Sequence, residues 1–220
     1  MDLVRTFLAG LLWMALASGT SAQCNSYNLS QDSETILEIY VAFYGRPADP
    51  AGLKYWAKEL AAVDGDVSKI IGAFGTSPEY ETRFGALNDT SLITNLYQQI
   101  LGRDPDAAGL NFYQGELSSG QSSLQTIALT ILGGATGPDA EVIQNRKAVA
   151  KHYLSITANS PEAESEFSND DLFTILGTVA DSAIDRDAAC ILVTEIGGEA
   201  NNGINALNWD QGAWDEQNWN

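Results

Sequence analysis

Apolar side chains recur with helical spacing in two parts of the chain. Between positions 36 and 44 they fall at i, i+3, i+4, i+7 and i+8, and positions 93–101 repeat this spacing. Such spacing places the apolar side chains on one face of an α-helix, which can then pack against a core. We find no convincing alternation of apolar and polar residues that would indicate a β-strand. The pattern predicts an all-α protein.

The two segments belong to an internal repeat. Residues 36–60 align without gaps on residues 93–117, at a constant offset of 103 − 46 = 57 positions. In each copy a second apolar helical face follows the first after a short break. The sequence therefore predicts a multi-helix domain that is built on a duplicated helix-turn-helix unit, with additional C-terminal helices.

The break inside each copy carries signals for a helix end and a helix start. A glycine directly after the first apolar face is typical of a residue that ends a helix in the left-handed conformation. An aspartate four residues later can cap the next helix, and in the first copy Pro50 follows it at the first helical position. The repeated turn motif comprises Gly45, Arg46, Asp49 and Gly52 in the first copy and Gly102, Arg103, Asp106 and Gly109 in the second.

The remaining elements follow from apolar spacing and from capping residues. Helices are predicted at 67–74, 78–84, 122–132 and 140–156, with two more inside 171–196, and turns at 85–89, 133–138 and 158–169. The chain is thereby divided into a signal peptide at 1–22, the duplicated region at 23–137, C-terminal helices packed on the same domain at 138–198 and a polar tail at 199–220.

The start of the chain predicts export. Arg5 precedes an apolar run from Phe7 to Ala17, and small residues at 20–22 suit cleavage before Gln23. The apolar run is shorter than the roughly 20 residues that span a bilayer. We expect a secreted or periplasmic protein, with association with the cell surface left open and with no membrane insertion after cleavage.

The two cysteines, Cys24 and Cys190, would both remain in the exported chain. An even number of cysteines in an oxidising compartment favours a disulfide. Cys24 also lies too close to the new N-terminus to be a natural core position. We therefore predict a Cys24–Cys190 disulfide, with two independent buried thiols as the alternative.

The charge restricts the partners. The chain has 11 Lys and Arg residues against 29 Asp and Glu residues, a formal net charge of −18. Binding to nucleic acid or to anionic membranes requires clustered basic residues. We therefore expect no nucleic-acid partner. No pattern indicates an oligomeric state.

The two turn motifs, Tyr-Gly-Arg-Pro-Ala-Asp-Pro-Ala-Gly-Leu-Lys-Tyr-Trp at 44–56 and Leu-Gly-Arg-Asp-Pro-Asp-Ala-Ala-Gly-Leu-Asn-Phe-Tyr at 101–113, resemble the bacterial DUF4214 family. The segment Phe-Gly-Thr-Ser-Pro-Glu-Tyr at 74–80 is similar to that family's second signature. The resemblance covers residues 35–137. It implies an all-helical fold, distantly similar to phycobilisome linker domains, in exported or surface-associated proteins. It implies no single activity.

The arginines of the turn motif allow two interpretations. Arg46 and Arg103 each precede an acid, Asp49 or Asp106, by three residues. Each guanidinium can hold its turn together by bonding helix-end carbonyls or that carboxylate. We favour this interpretation because one ligand rarely needs two identical turns. The alternative is an exposed site for an anion or a partner.

Metal binding and catalysis have weak support. Asp104 and Asp106 are candidate calcium ligands, but two carboxylates fall short of the six to eight oxygens that calcium takes. We expect no cofactor, with calcium left open. The single histidine, His152, lies beside no nucleophile motif, and we predict that it faces solvent on a helix. No catalytic residue is predicted.

The tail contains three tryptophans among amides and acids, Trp209, Trp214 and Trp219. They could contact a partner or a glycan, or the tail could dock on its own domain. The leading hypothesis is an exported, non-catalytic binding or assembly module that contacts a protein or a surface glycan at the cell envelope. The alternatives are a hydrolase of envelope polymers that uses an acidic pair and a calcium-dependent scaffold.

Overall fold

The computed structural model describes residues 24–198. Its elements are α1 (Gln31–Tyr44), α2 (Pro50–Ala62), a 3-10 turn (Val67–Lys69), α3 (Ile71–Gly75), α4 (Pro78–Phe84), α5 (Asp89–Leu101), α6 (Ala107–Ser119), α7 (Leu124–Gly134), α8 (Pro138–Thr157), α9 (Pro161–Ser165), α10 (Asn169–Gly177) and α11 (183–198). No residue in this range forms a β-strand, so the predicted all-α class is confirmed. The predicted signal peptide and the three tail tryptophans lie outside the described residues.

Helices α1 and α5, the first helices of the two copies, form the centre of the structure. Helix α1 packs against α2, α5, α7 and α8, and α5 packs against α1, α6, α7 and α8. Their apolar faces are almost completely buried, with Ile36, Phe43, Ile93 and Ile100 at 0% exposure. The two equivalent helices therefore pack on each other, as their amphipathic spacing requires.

One apolar core connects both copies with the C-terminal helices. Phe43 of α1, Ile127 of α7, Leu154 of α8, Ile175 of α10 and Val193 of α11 all belong to the same cluster of buried side chains. The region after residue 137 thus contributes directly to the core of the duplicated region. None of the helices within residues 24–198 is both long and apolar enough to cross a membrane.

Most of the predicted helix bounds agree with the structure to about two residues, the usual uncertainty of helix ends. Two details differ. The segment 67–74 is divided into a 3-10 turn and α3. The predicted turn at 158–169 contains the short helix α9, which Ser160 caps and Pro161 starts. Five residues are too few for apolar periodicity to reveal a helix.

The disulfide is present and joins the start of the described chain to α11. The Cα atoms of Cys24 and Cys190 lie 5.4 Å apart, and the bond closes a loop with a sequence separation of 166 residues. The prediction of a disulfide is therefore confirmed.

The prediction for His152 is wrong, because this side chain is buried next to the disulfide. Only 3% of His152 is exposed. Its Nδ1 accepts a hydrogen bond from the backbone amide of Asn25 at 2.9 Å, and its Nε2 lies 2.8 Å from the Thr194 hydroxyl. The disulfide holds the N-terminal segment against α11, and this segment covers the face of α8 that carries His152. Helical spacing alone predicted that this face is exposed to solvent. Burial lowers the pKa of His152, and hydrogen bonding with the Cys190 backbone raises it by a smaller amount.

Loss of the disulfide should destabilise the fold. In the chain-entropy model, a loop of this length stabilises the native state by up to about 5 kcal/mol, and native removals typically cost about 2–5 kcal/mol. We expect the Cys24→Ser/Cys190→Ser double variant to lose stability in this range in guanidinium unfolding. Reductant should destabilise the natural chain similarly and leave the variant unchanged. Equal stability of the two chains would contradict a stabilising role.

Stability should also decrease as the pH falls from 7.5 to 5.5. A buried histidine with a lowered pKa binds fewer protons in the folded state than in the unfolded state over the pH range between its two pKa values. Acid therefore favours the unfolded chain there, by at most about 1.4 kcal/mol per pH unit. The upper end of this range is the unfolded value of about 6.5. Stability is fully present above it and declines as the pH falls towards the lowered folded value.

The sequence offers a direct control for this pH dependence. His152 is the single histidine of the chain, so the His152→Gln variant should lose the pH dependence between 5.5 and 7.5 in urea unfolding. An unchanged slope in this variant would assign the effect to other groups.

Candidate functional site

The first turn motif is fixed by a buried arginine. Gly45 ends α1 in the left-handed conformation, with φ 61°. The following Arg46 donates from Nε and Nη2 to the two carboxylate oxygens of Glu79, at 2.8 and 2.6 Å, and from Nη1 to the carbonyl oxygen of Pro47 at 2.8 Å. This two-pronged pairing connects the end of α1 to the first turn of α4.

The second turn motif repeats this geometry at the surface. Gly102 ends α5 with φ 69°. Arg103 donates from Nε and Nη2 to the carboxylate oxygens of Asp139, at 2.8 and 2.7 Å, and from Nη1 to the carbonyl oxygen of Asp104 at 3.2 Å. The second bridge therefore connects the end of α5 to the first turn of α8.

The carboxylates that bind the two arginines are not those that the spacing suggested. Asp49 and Asp106 instead cap α2 and α6, where their side chains accept from the backbone amides of Gly52 and Gly109. Two kinds of partner were expected for each arginine, the helix-end carbonyls or the aspartate of its own turn, and the aspartate is not the carboxylate that it binds. Each aspartate serves the helix that it precedes, since the free amides of the first turn are its nearest donors.

Glu79 and Asp139 are the carboxylates that bind the two turn arginines, and the sequence patterns did not indicate either of them. Each is the second residue of a helix that begins with proline, Pro78 in α4 and Pro138 in α8. An acid at this position also interacts favourably with the positive end of the helix. The two Pro-acid pairs were the available signal, but they lie 33 and 36 residues beyond their arginines, and neither spacing nor periodicity connects groups so far apart.

Aromatic rings also contact both arginines. The Arg46 guanidinium lies 5.3 Å from the ring centre of Tyr40 and 5.4 Å from that of Tyr44, while Arg103 lies 5.5 Å from that of Tyr97. Such cation–π contacts add to the attraction of the carboxylates. The copies differ in burial, because the side chain of Arg46 is 7% exposed and that of Arg103 is 47% exposed.

The ion pairs perturb proton affinities as their geometry requires. Burial lowers the pKa of Arg46, but the hydrogen bonds and the charge of Glu79 outweigh it, so that the net shift is upward. The hydrogen bonds from Arg103 lower the pKa of Asp139. Each shift favours the charged form of its group.

Gly52 and Gly109 are required by a close approach rather than by a turn conformation. A Cβ atom at Gly52 would lie 2.6 Å from the hydroxyl of Tyr40, and one at Gly109 would lie 2.7 Å from the hydroxyl of Tyr97. Any larger residue would push the tyrosine of the first helix away from the start of the second. The eight residues of the predicted turn motif thus all have structural roles in this geometry, and a binding role for them stays a prediction.

The second helix of each copy presents an aromatic ring to solvent. Tyr55 of α2 is 55% exposed and Phe112 of α6 is 59% exposed. They are related by the repeat, since 112 − 55 = 57. Each ring packs edge-on against the following aromatic residue, Trp56 or Tyr113, with ring centres 5.0 and 5.1 Å apart. This outward pair, which we call the twin aromatic positions, was not singled out by sequence patterns.

The candidate calcium ligands lie close together in the chain but bind protein groups. Asp104 accepts from the side-chain amide of Gln98 at 2.8 Å, and Asp106 accepts from the amide of Gly109 at 2.7 Å. Within residues 24–198, no group of three or more histidine, cysteine, aspartate or glutamate side chains is arranged to hold a metal ion. Calcium binding by these two aspartates stays a prediction.

The two arginine bridges should contribute unequally to stability. Removal of one partner from a buried pair leaves the other charge uncompensated, so Arg46→Ala should cost about 3 kcal/mol. Arg46→Lys should restore only part of this loss, because lysine cannot make the two-pronged pairing. Arg103→Ala should cost at most about 1 kcal/mol, as is usual for exposed pairs. Urea unfolding of the three variants measures this difference, and equal losses for the two alanine variants would contradict it.

Comparison with known proteins identifies one family. Residues 71–135 match the model of the family described as "Domain of unknown function (DUF4214)". This segment includes α4 with Glu79 and the whole second turn motif. No curated protein and no solved structure matches the chain. The match confirms the family resemblance for residues 71–135, which contain the second turn motif but not the first.

Proposed function

We propose that the chain is an exported, non-catalytic binding or assembly module that contacts a protein or glycan partner at the cell envelope or surface. The observation that carries this proposal is the pair of twin aromatic positions, Tyr55 and Phe112. They stand at equivalent points of the two copies and are both more than half exposed. A repeated apolar contact suits a partner with a repeated or extended surface.

The helices that carry these rings contribute little to the core. Helix α6 has no fully buried residue, and in α2 only Leu53 and Leu60 are buried. Yet α6 is capped at both ends, by Asp106 and by Gly120 with φ 69°. A well-capped helix with a mainly accessible surface is suited to present side chains to a partner.

The exposed rings are also held in place before binding. Each is packed edge-on against its neighbouring aromatic ring, and Trp56 packs in turn on the buried Phe74, with ring centres 4.9 Å apart. Rings that are already ordered lose little conformational freedom when a partner binds. Large aromatic side chains are the residues that most often dominate binding interfaces.

Export is supported by the signal-like start of the chain and by the disulfide between Cys24 and Cys190. Disulfides persist in oxidising compartments. The charge of −18 disfavours anionic lipid surfaces and nucleic acids as partners.

The proposal is tested by co-sedimentation with cell envelopes from the source organism. We expect saturable retention of the purified protein, and a loss of at least tenfold in affinity for the Tyr55→Ser/Phe112→Ser double variant, since removing two interface aromatics typically costs more than about 1.4 kcal/mol. Parallel samples with calcium and with chelator show whether retention depends on the metal.

The matched control is Ile184→Ser. Ile184 is 69% exposed, more than either ring, and it lies outside the repeat. This variant should bind like the natural chain. Failure of the natural chain to bind, or equal binding by the double variant, would overturn the proposal.

A further inference from the structure

A semi-enclosed cavity of about 420 Å³ lies where the two copies meet the C-terminal helices. Its volume is within the range of small-molecule pockets. It is walled by the two glycines that end α1 and α5, by apolar rings and by polar side chains. Its lining includes Gly45, Gly102, Phe84, Asn95, Gln99 and Arg146. Among residues 24–198, no acidic residue lines it.

A buried guanidinium lines this cavity. Arg146 is 2% exposed. Its Nε donates to the carbonyl oxygen of Val179 at 3.1 Å, and its Nη1 donates to the carbonyl oxygens of Gln98 and Gln99 at the end of α5. Within residues 24–198 its Nη2 has no hydrogen-bond partner, and it lies 3.4 Å from the place where a Cβ would stand at Gly102. Burial lowers the pKa of Arg146 to about 10, so that it stays charged at neutral pH.

An amide in the same cavity is also without a partner. Gln99 is 7% exposed, and its Oε1 is the one buried side-chain polar atom of the described residues that lacks a hydrogen bond. Such an atom costs about 1–3 kcal/mol when nothing satisfies it. The equivalent residue of the first copy, at 99 − 57 = 42, is the fully buried Ala42. The helix therefore does not need an amide at this position.

A ligand that forms hydrogen bonds with both Arg146 and Gln99 must both donate and accept. The Arg146 nitrogen needs an acceptor, and the Gln99 oxygen needs a donor. A carboxylate or the dianion of a phosphate monoester supplies acceptors only, and the negative ends of α1 and α5, at Gly45 and Gly102, disfavour an anion. Hydroxyl groups do both without charge.

We propose that this cavity binds a single sugar unit, of a free saccharide or of a glycan chain, with its hydroxyls on Arg146 and Gln99. The amide of Asn95 offers a further donor and acceptor, and the ring of Phe84 forms an apolar wall. This site is separate from the twin aromatic positions, so it stands whether or not the envelope-binding proposal holds.

The test is saturation-transfer NMR of the full chain with glucose, galactose, mannose and N-acetylglucosamine, their disaccharides, sodium acetate and inorganic phosphate. We expect at least one sugar to bind, and its affinity to fall at least tenfold in Gln99→Met, which keeps the volume and removes the amide. The thermal midpoint of this variant should be equal to or above that of the natural chain, because an unsatisfied buried group is lost.

Gln144→Met is the matched control, because Gln144 lies on α8 but does not line this cavity. It should bind the sugar normally. Affinity for monosaccharides and disaccharides alike indicates a single unit, whereas a disaccharide preference indicates a chain. No bound sugar, binding of acetate or phosphate alone, or full sugar affinity in Gln99→Met would each overturn the proposal.

Discussion

An arginine that joins the end of one helix to the start of a later one is the interaction on which the rest of the structure depends. The left-handed glycine before it turns the chain away from the helix axis, so that the guanidinium can reach a carboxylate more than thirty residues further on. In the first copy this bridge lies inside the molecule, and its guanidinium contacts two adjacent tyrosine rings. The turn, the following capped helix and the later helix are thereby fixed as one unit.

The two copies share the left-handed glycine and the arginine–carboxylate bridge, but different residues surround the two bridges. Helix α4 and the aromatic residues around Phe74 cover the Arg46 bridge, whereas the Arg103 bridge stays near the surface. Near the end of α5, Arg146 of α8 donates hydrogen bonds to the carbonyl oxygens of Gln98 and Gln99. This difference gives the two copies distinct contacts with one shared core. It also leaves the polar cavity beside Gln99.

In each copy, the residues that stabilise the fold differ from those that are exposed to a partner. The first helix of each copy is buried, and the second helix is held by its cap and by the glycine that accepts the tyrosine hydroxyl. These contacts leave Tyr55 and Phe112 of the second helix more than half exposed. The stability of the fold and the exposure of aromatic rings to a partner thus depend on different residues of each copy.

By itself the sequence determined the helical class, the duplication and the capped turns, because helix spacing, left-handed glycines and aspartate caps act over a few residues. With two cysteines it also allowed only one disulfide pairing. Only the tertiary structure decided the contacts between distant segments. It paired Arg46 with Glu79 rather than Asp49, buried His152 beneath the N-terminal segment, and left the Gln99 amide in a cavity. Such contacts depend on how whole helices pack, and no local pattern carries that information.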